Sequence, residues 1–133
     1  MAEFAEGSNA SFSKTITDAD VVLFAGVSGD TNPLHLDAEY AAKSRFKQRI
    51  AHGMLSASLI STVLGTKLPG PGAIYMGQTL EFKGPVFLGD TVTASATITS
   101  WDGGKGPMTI ATSCHNQRGE VVVTGEARVL YRP

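Results

Sequence analysis

Cysteine is nearly absent from this chain. Cys114 is the one thiol in 133 residues. A lone cysteine cannot close an intramolecular disulfide, so the expected home is a reducing compartment, the cytoplasm. Charge is scarce as well. Charged residues make up 17% of the sequence, and eleven Lys and Arg against twelve Asp and Glu leave a formal net charge of −1. That balance predicts no nucleic-acid partner and no polybasic attachment to a membrane. No apolar run reaches the roughly 20 residues needed to cross a bilayer. The opening MAEFAEGSNA carries two acids and no base, unlike a signal or transit peptide. One Cys and three scattered His give no zinc-ligand spacing, so no metal is expected. Repeats and low-complexity segments are missing too.

Hydrophobic residues account for 42% of the chain, which marks an ordinary globular protein. The length fits one domain, read as a loose lead-in over residues 1–9 and a folded unit over 10–133. Ser11 to Ile16 alternates and reads as a first strand. Thr17 with Asp20 forms a capping-box variant, opening a helix that stops near Gly29. Pro33 pushes Asn32 out of the helical region, so Asp30 to His35 is irregular. A short helix follows from about Ala38 to Lys43. Between Arg49 and Lys67 no charge occurs, while Met54, Leu55, Leu59, Ile60, Val63 and Leu64 cover a wide arc. Such a helix is buried on most sides. Leu68-Pro69-Gly70-Pro71-Gly72 ends it.

From Ala73 the pattern turns to strands: Ala73 to Phe82, Val86 to about Trp101, Pro107 to Asn116, and Glu120 to Tyr131. In the second, Val92, Ala94, Ala96 and Ile98 alternate with hydroxyl residues. Asp102-Gly103-Gly104 and Arg118-Gly119 read as turns, so the strands are expected to form an antiparallel meander. The fold class is α+β, a sheet wrapped around a central helix, because that helix needs more than one flat partner.

Asp30 and His35 stand out for chemistry. An Asp after a Gly is most often a solvated turn residue, and a lone His is most often structural. Held together on a segment stiffened by Pro33, the two could share one water, removing one proton and supplying another. His52-Gly53-Met54 opens the uncharged helix, whose free N–H groups could stabilise an oxyanion; Gly53 could equally serve only tight packing. Ser56, Ser58 and Ser61 read as helix hydroxyls bonded to the preceding turn, and nothing places a base beside them. Cys114 reads as a small strand residue. Gly70-Pro71-Gly72 lacks the Lys of a phosphate loop.

Asp30-Thr31-Asn32-Pro33-Leu34-His35-Leu36-Asp37 resembles the hydratase signature of the MaoC-like (R)-specific enoyl-CoA hydratases, and Arg49-Ile50-Ala51-His52-Gly53-Met54-Leu55 resembles the motif opening their central helix. Further segments follow in family order, from Gly77–Phe82 and Pro85–Asp90 to Val123–Ala127, so the likeness covers about residues 10 to 131. It implies the hot-dog fold, an antiparallel sheet curled around one long helix, over residues 10–133. It also implies reversible syn addition of water to a trans-2-enoyl-CoA, giving (R)-3-hydroxyacyl-CoA for polyester synthesis. By resemblance, Asp30 and His35 are the catalytic pair and the Gly53 N–H accepts the thioester oxygen. Ser61 helps orient Asp30 or the substrate, and Asn32 fixes the loop. The implied partners are an acyl-CoA thioester and a second copy of the chain in a homodimer. No cofactor is implied, since coenzyme A is part of the substrate. A carrier-protein dehydratase, a thioesterase and a non-catalytic acyl-thioester-binding module remain as alternatives. Lys43, Arg45, Lys47 and Arg49 form a basic stretch suited to a carrier protein or to coenzyme A phosphates.

Overall fold

The computed structural model describes residues 3–133. Its elements are β1 (Asn9–Thr15), α1 (Asp18–Ser28), α2 (Pro33–Leu36), α3 (Ala38–Ala42), α4 (Gly53–Thr66), β2 (Ala73–Gln78), β3 (Glu81–Phe82), β4 (Thr91–Ser100), β5 (Met108–His115) and β6 (Val121–Tyr131). All strands join one antiparallel sheet in the order β1-β4-β5-β6-β2, with β3 also pairing with β6. The sheet curls over α4, which lies mainly against β4. This is the hot-dog arrangement. The long alternating strand behaves as its pattern dictates: Val92, Ala94, Ala96 and Ile98 are buried against Leu59, Ile60, Val63 and Leu64 of α4. Helix α1 begins with both halves of the capping box, Asp20 N–H to Thr17 Oγ1 at 3.2 Å and Thr17 N–H to Asp20 Oδ2 at 2.9 Å, and ends at Gly29 with φ of 80°. No helix among the described residues is long and apolar enough to cross a membrane.

Several expectations are corrected. The meander holds only for β4, β5 and β6; β1 adds outside β4, and β2 and β3 add outside β6. Alternation fixes which face of a strand is buried, not which neighbour it takes. The stretch Ala73–Phe82 is two strands, because the Thr79 carbonyl turns onto β6 at Gly125, where a Cβ would stand 1.8 Å from that oxygen. Residues 86–90 are not strand, since the Asp90 carboxylate accepts the Phe87 N–H at 3.0 Å and closes a turn. The lead-in is not loose where it is described. Phe4 packs on Trp101 and Tyr131, with ring centroids 5.4 and 5.0 Å apart, and the Gly7 N–H donates to the Ile98 carbonyl at 2.8 Å. Met1 and Ala2, where that lead-in starts, lie outside the described residues. Helix α4 is buried on one side rather than most, because a single curled sheet covers only that side. Met54, Ser58, Ser61 and Gly65 form an exposed stripe.

Candidate active site

Residues 28–36 are shaped by three local bonds. The Ser28 hydroxyl accepts the Asp30 N–H at 3.1 Å, Asp30 Oδ1 accepts the Asn32 N–H at 3.2 Å, and Asn32 Oδ1 accepts the Leu34 N–H at 3.0 Å. Asn32 thereby caps α2, whose first residue is Pro33, the position where a missing N–H costs nothing. This single turn of helix places His35 in the interior, 8% exposed. His35 Nδ1 lies 2.8 Å from the Ile50 carbonyl oxygen. A carbonyl only accepts, so Nδ1 carries the hydrogen and the neutral ring keeps its lone pair on Nε2. From outside, Arg49 Nε donates to the His35 carbonyl at 2.6 Å and its Nη2 pairs with Asp18 at 2.6 Å, tying α2 to α1.

His52 fills the space behind that pair. Its Nε2 lies 2.9 Å from the Asp30 carbonyl oxygen, so the hydrogen is on Nε2. Its ring stacks on His35 with centroids 3.9 Å apart and planes at 29°, and packs against Phe24 on another side. His52 does not cap α4 with its side chain, and the Gly53 and Met54 N–H groups have no partner among the described residues. These are the orphan donors of a helix start, and they carry its positive partial charge. The Phe82 ring packs beside Gly53: a Cβ on residue 53 would stand 2.7 Å from it.

Asp30, His35, His52, Gly53 and Phe82 all border one cavity of about 430 Å³. The lining joins a polar group, Asp30, His35 and His52 from the loop, α2 and the α4 start, to a wholly apolar run from the β3 and β6 region, Phe82, Pro85, Val86, Val122 and Val123, and we call these two parts its polar and apolar walls. One donor atom from each of Asp30, His35 and His52 lies within 4.8 Å of the other two. That separation is about the span of one water bonded to two groups. Two of the three histidines, distant in sequence, thus do form a ligand-like cluster with Asp30. The donor types suit a divalent transition ion. Yet the face-to-face stack keeps the two rings' lone pairs in neighbouring, nearly parallel planes instead of aiming them at one point.

Not every expected residue reaches the cavity. Asn32 is exposed and turned into α2, outside the lining. Ser61 is exposed on α4, eight residues beyond Gly53, or about 12 Å of helix. Of the four bases in the stretch 43–49, Arg45 lines the cavity, joined by Lys83 from the other side, while Arg49 is spent on His35 and Asp18. Ser58 bonds back to the preceding turn at 2.6 Å as expected, but Ser56 does not. Its buried hydroxyl lines the cavity and, like His52 Nδ1, has no partner among the described residues. Sequence patterning does not place Phe82 or Ser56 at the cavity; a two-residue strand carries no periodicity to reveal the first. Cys114 is fully buried, and burial pushes its thiol up to about 12, which leaves it no nucleophile at neutral pH.

The family model described as a MaoC like domain matches residues 3–118. The chain is 56% identical over 125 residues to an (R)-specific enoyl-CoA hydratase of Rhodospirillum rubrum, covering 94% of this chain and 86% of that protein. It is 50% identical over 123 residues to an (R)-specific enoyl-CoA hydratase of Aeromonas caviae, covering 92% of each. The solved structure of an Aeromonas caviae (R)-hydratase involved in PHA biosynthesis superposes with a TM-score of 0.94 at 46% identity, over 98% of this chain and 99% of that one.

Proposed function

The chain belongs to the MaoC-like domain family, and from that premise we propose that it works as an (R)-specific enoyl-CoA hydratase through Asp30, His35 and the Gly53 N–H. The observation that carries the reading is the meeting of an acid, an imidazole and a free helix start on one cavity. A trans-2-enoyl thioester is electrophilic at C3. A water between the Asp30 carboxylate and His35 Nε2 gives up a proton to Asp30, the general base, as its oxygen bonds to C3. Electrons move onto the thioester oxygen, where the Gly53 N–H and the α4 dipole stabilise the charge. The enolate then collapses and C2 takes a proton from the same pair. Both additions come from one face, hence syn. No oxidation state changes and C3 is already activated by conjugation, so the reaction calls for no redox cofactor and no metal. Coenzyme A enters as part of the substrate.

A homodimer is supported by surfaces that a lone chain leaves bare: the uncharged stripe of α4 and the edge strand β2, with Ile74, Tyr75 and Met76 all more than 40% exposed. Ser61 lies on that stripe, so its orienting role operates across the dimer interface. A cytoplasmic setting is supported by the single buried thiol. Supply of (R)-3-hydroxyacyl-CoA to polyester synthesis is supported by the description of the Aeromonas structure. The folded unit begins before residue 10, at the docked Phe4.

Purified protein mixed with crotonyl-CoA tests the activity. Loss of the conjugated enoyl absorbance without free thiol is expected. Release of thiol instead identifies a thioesterase, turnover only of a carrier-protein thioester identifies a dehydratase of that class, and binding without turnover identifies a non-catalytic module.

A further inference from the structure

In the reaction just described His52 does nothing, yet its side chain touches both members of the acid–base pair. It is 2% exposed, its Nε2–H holds the Asp30 carbonyl at 2.9 Å, its ring lies against the His35 ring at 3.9 Å, and its own peptide leads directly into Gly53. We infer that His52 is the positioning residue of the site, a clamp that fixes the general base, its imidazole partner and the oxyanion donor relative to one another. The inference rests on the hydratase reading above.

Two features argue against a merely structural core ring. First, each polar anchor of the pair runs to the main chain of the other's neighbourhood. His35 bonds the Ile50 carbonyl two residues before His52, and His52 bonds the carbonyl of Asp30 five residues before His35. The two rings and their two carbonyls thus form a closed crossover between the 30–36 and 50–53 segments. Tilting the His35 ring out of its plane breaks both the Ile50 bond and the stack. Second, His52 Nδ1 is buried with no partner among the described residues. A buried unpaired acceptor opposes folding, and an apolar ring of similar shape would avoid it. What an apolar ring lacks is the donor to Asp30. Positional errors of an ångström at an acid–base pair are enough to lose two decades of rate.

The test separates the ring from the donor. His52→Phe keeps the stack and removes the bond to Asp30; His52→Gln keeps an N–H and removes the stack. Steady-state hydration of crotonyl-CoA is expected to show kcat lower by roughly 10²-fold in His52→Phe and about 10-fold in His52→Gln, with KM within about threefold of wild type in both. A positioning residue acts through its partner. Asp30→Asn added to either variant should therefore cost several times less than Asp30→Asn alone, whereas a role in stability only would leave the Asp30 penalty intact. Nitrogen-15 spectra of the wild-type rings should show the hydrogen of His52 on Nε2. If His52→Phe does not fold, His52→Gln carries the same cycle. A folded variant with kcat within threefold of wild type, an undiminished Asp30 penalty, or a hydrogen on Nδ1 overturns the inference while leaving the reaction intact. A wild-type protein inert to crotonyl-CoA overturns the reaction and the inference together.

Discussion

The two walls of the cavity are held in opposite ways. On the polar wall every functional residue is anchored by hydrogen bonds with main chain on one side: the Asp30 carboxylate accepts the Asn32 N–H, the residue's own N–H and carbonyl meet the Ser28 hydroxyl and the His52 ring, and His35 is held at Nδ1 by the Ile50 carbonyl and at its own carbonyl by Arg49. On the apolar wall Phe82 sits on a two-residue strand, is 52% exposed, and its ring is kept in place by packing alone. Hydrogen bonds to backbone specify position to tenths of an ångström, whereas packing on one face leaves a ring free to swing. On the proposed reading the chemistry belongs to the fixed wall, and adaptation to the acyl chain falls to the yielding one. Damage to the first should therefore appear in kcat and damage to the second in KM.

The largest effect that could break this division lies at the acid–base pair. Asp30→Asn and His35→Gln are each expected to lower kcat by roughly 10²–10⁴-fold with the thermal midpoint little changed. The double substitution should lose little more, because both groups act on one water. A rate within a few-fold of wild type for either variant, measured on folded protein, would remove the polar wall from the mechanism.

Next comes the point where the walls touch. Gly53→Ala puts a methyl 2.7 Å from the Phe82 ring, and something must move. Half exposed, the ring can yield; if α4 shifts instead, the N–H leaves the thioester oxygen. We expect kcat to fall by about 10- to 100-fold, less than the full loss of an oxyanion donor. Adding Phe82→Ala should return most of it. A double variant no better than Gly53→Ala alone would mean that the glycine matters for the backbone and not for the contact.

These contrasts also show what was readable in advance. The face that Val92, Ala94, Ala96 and Ile98 bury is legible because period two leaves no other choice. Asp30 and His35 are legible because Pro33 and the Asx-type residues force a local structure that needs no distant partner. His52 is visible as part of a motif but without a task, since its stack on His35 and its bond to Asp30 span 17 and 22 positions and leave no local trace. The same holds for the placing of β2 and β3 beside β6, which depends on the missing Cβ of Gly125. Ser61 is the converse case: residue type and spacing match the family position, but the helix turns it outward.

Behind the apolar wall is an ionic latch of moderate effect. Asp90 is buried, which pushes its carboxyl upward, but the Gln117 amide, the Phe87 N–H and the Arg118 guanidinium more than offset this and hold it below the usual carboxylate range. A group whose value is depressed in the folded state contributes stability above its unfolded pKa of about 3.9 and loses it as pH falls through the folded value. Asp90→Asn should therefore cost about 1–3 kcal/mol at pH 7 and flatten the loss of stability below about pH 4. Denaturant unfolding across that range measures both. An equal acid dependence in variant and wild type would place the linkage elsewhere. Since Asp90 closes the turn leading from Val86, its loss should loosen the apolar wall and raise KM before it touches kcat.

The smallest expected effect lies at the rim, where the two walls end in Arg45 and Lys83. Both are exposed, and Lys83 already pairs with the exposed Glu81 at 2.6 Å, so neither can hold a phosphate as a buried cation would. An exposed ion pair is worth about 0.2–1 kcal/mol, so Arg45→Ala and Lys83→Ala should each raise KM for crotonyl-CoA by about two- to fivefold and leave kcat alone. The same enoyl group on pantetheine, which lacks the nucleotide phosphates, should show no change, and added salt should erase the difference on coenzyme A. Were kcat to fall with either variant, a rim charge would be reaching the anchored wall, and the separation of rate from affinity along this cavity would fail.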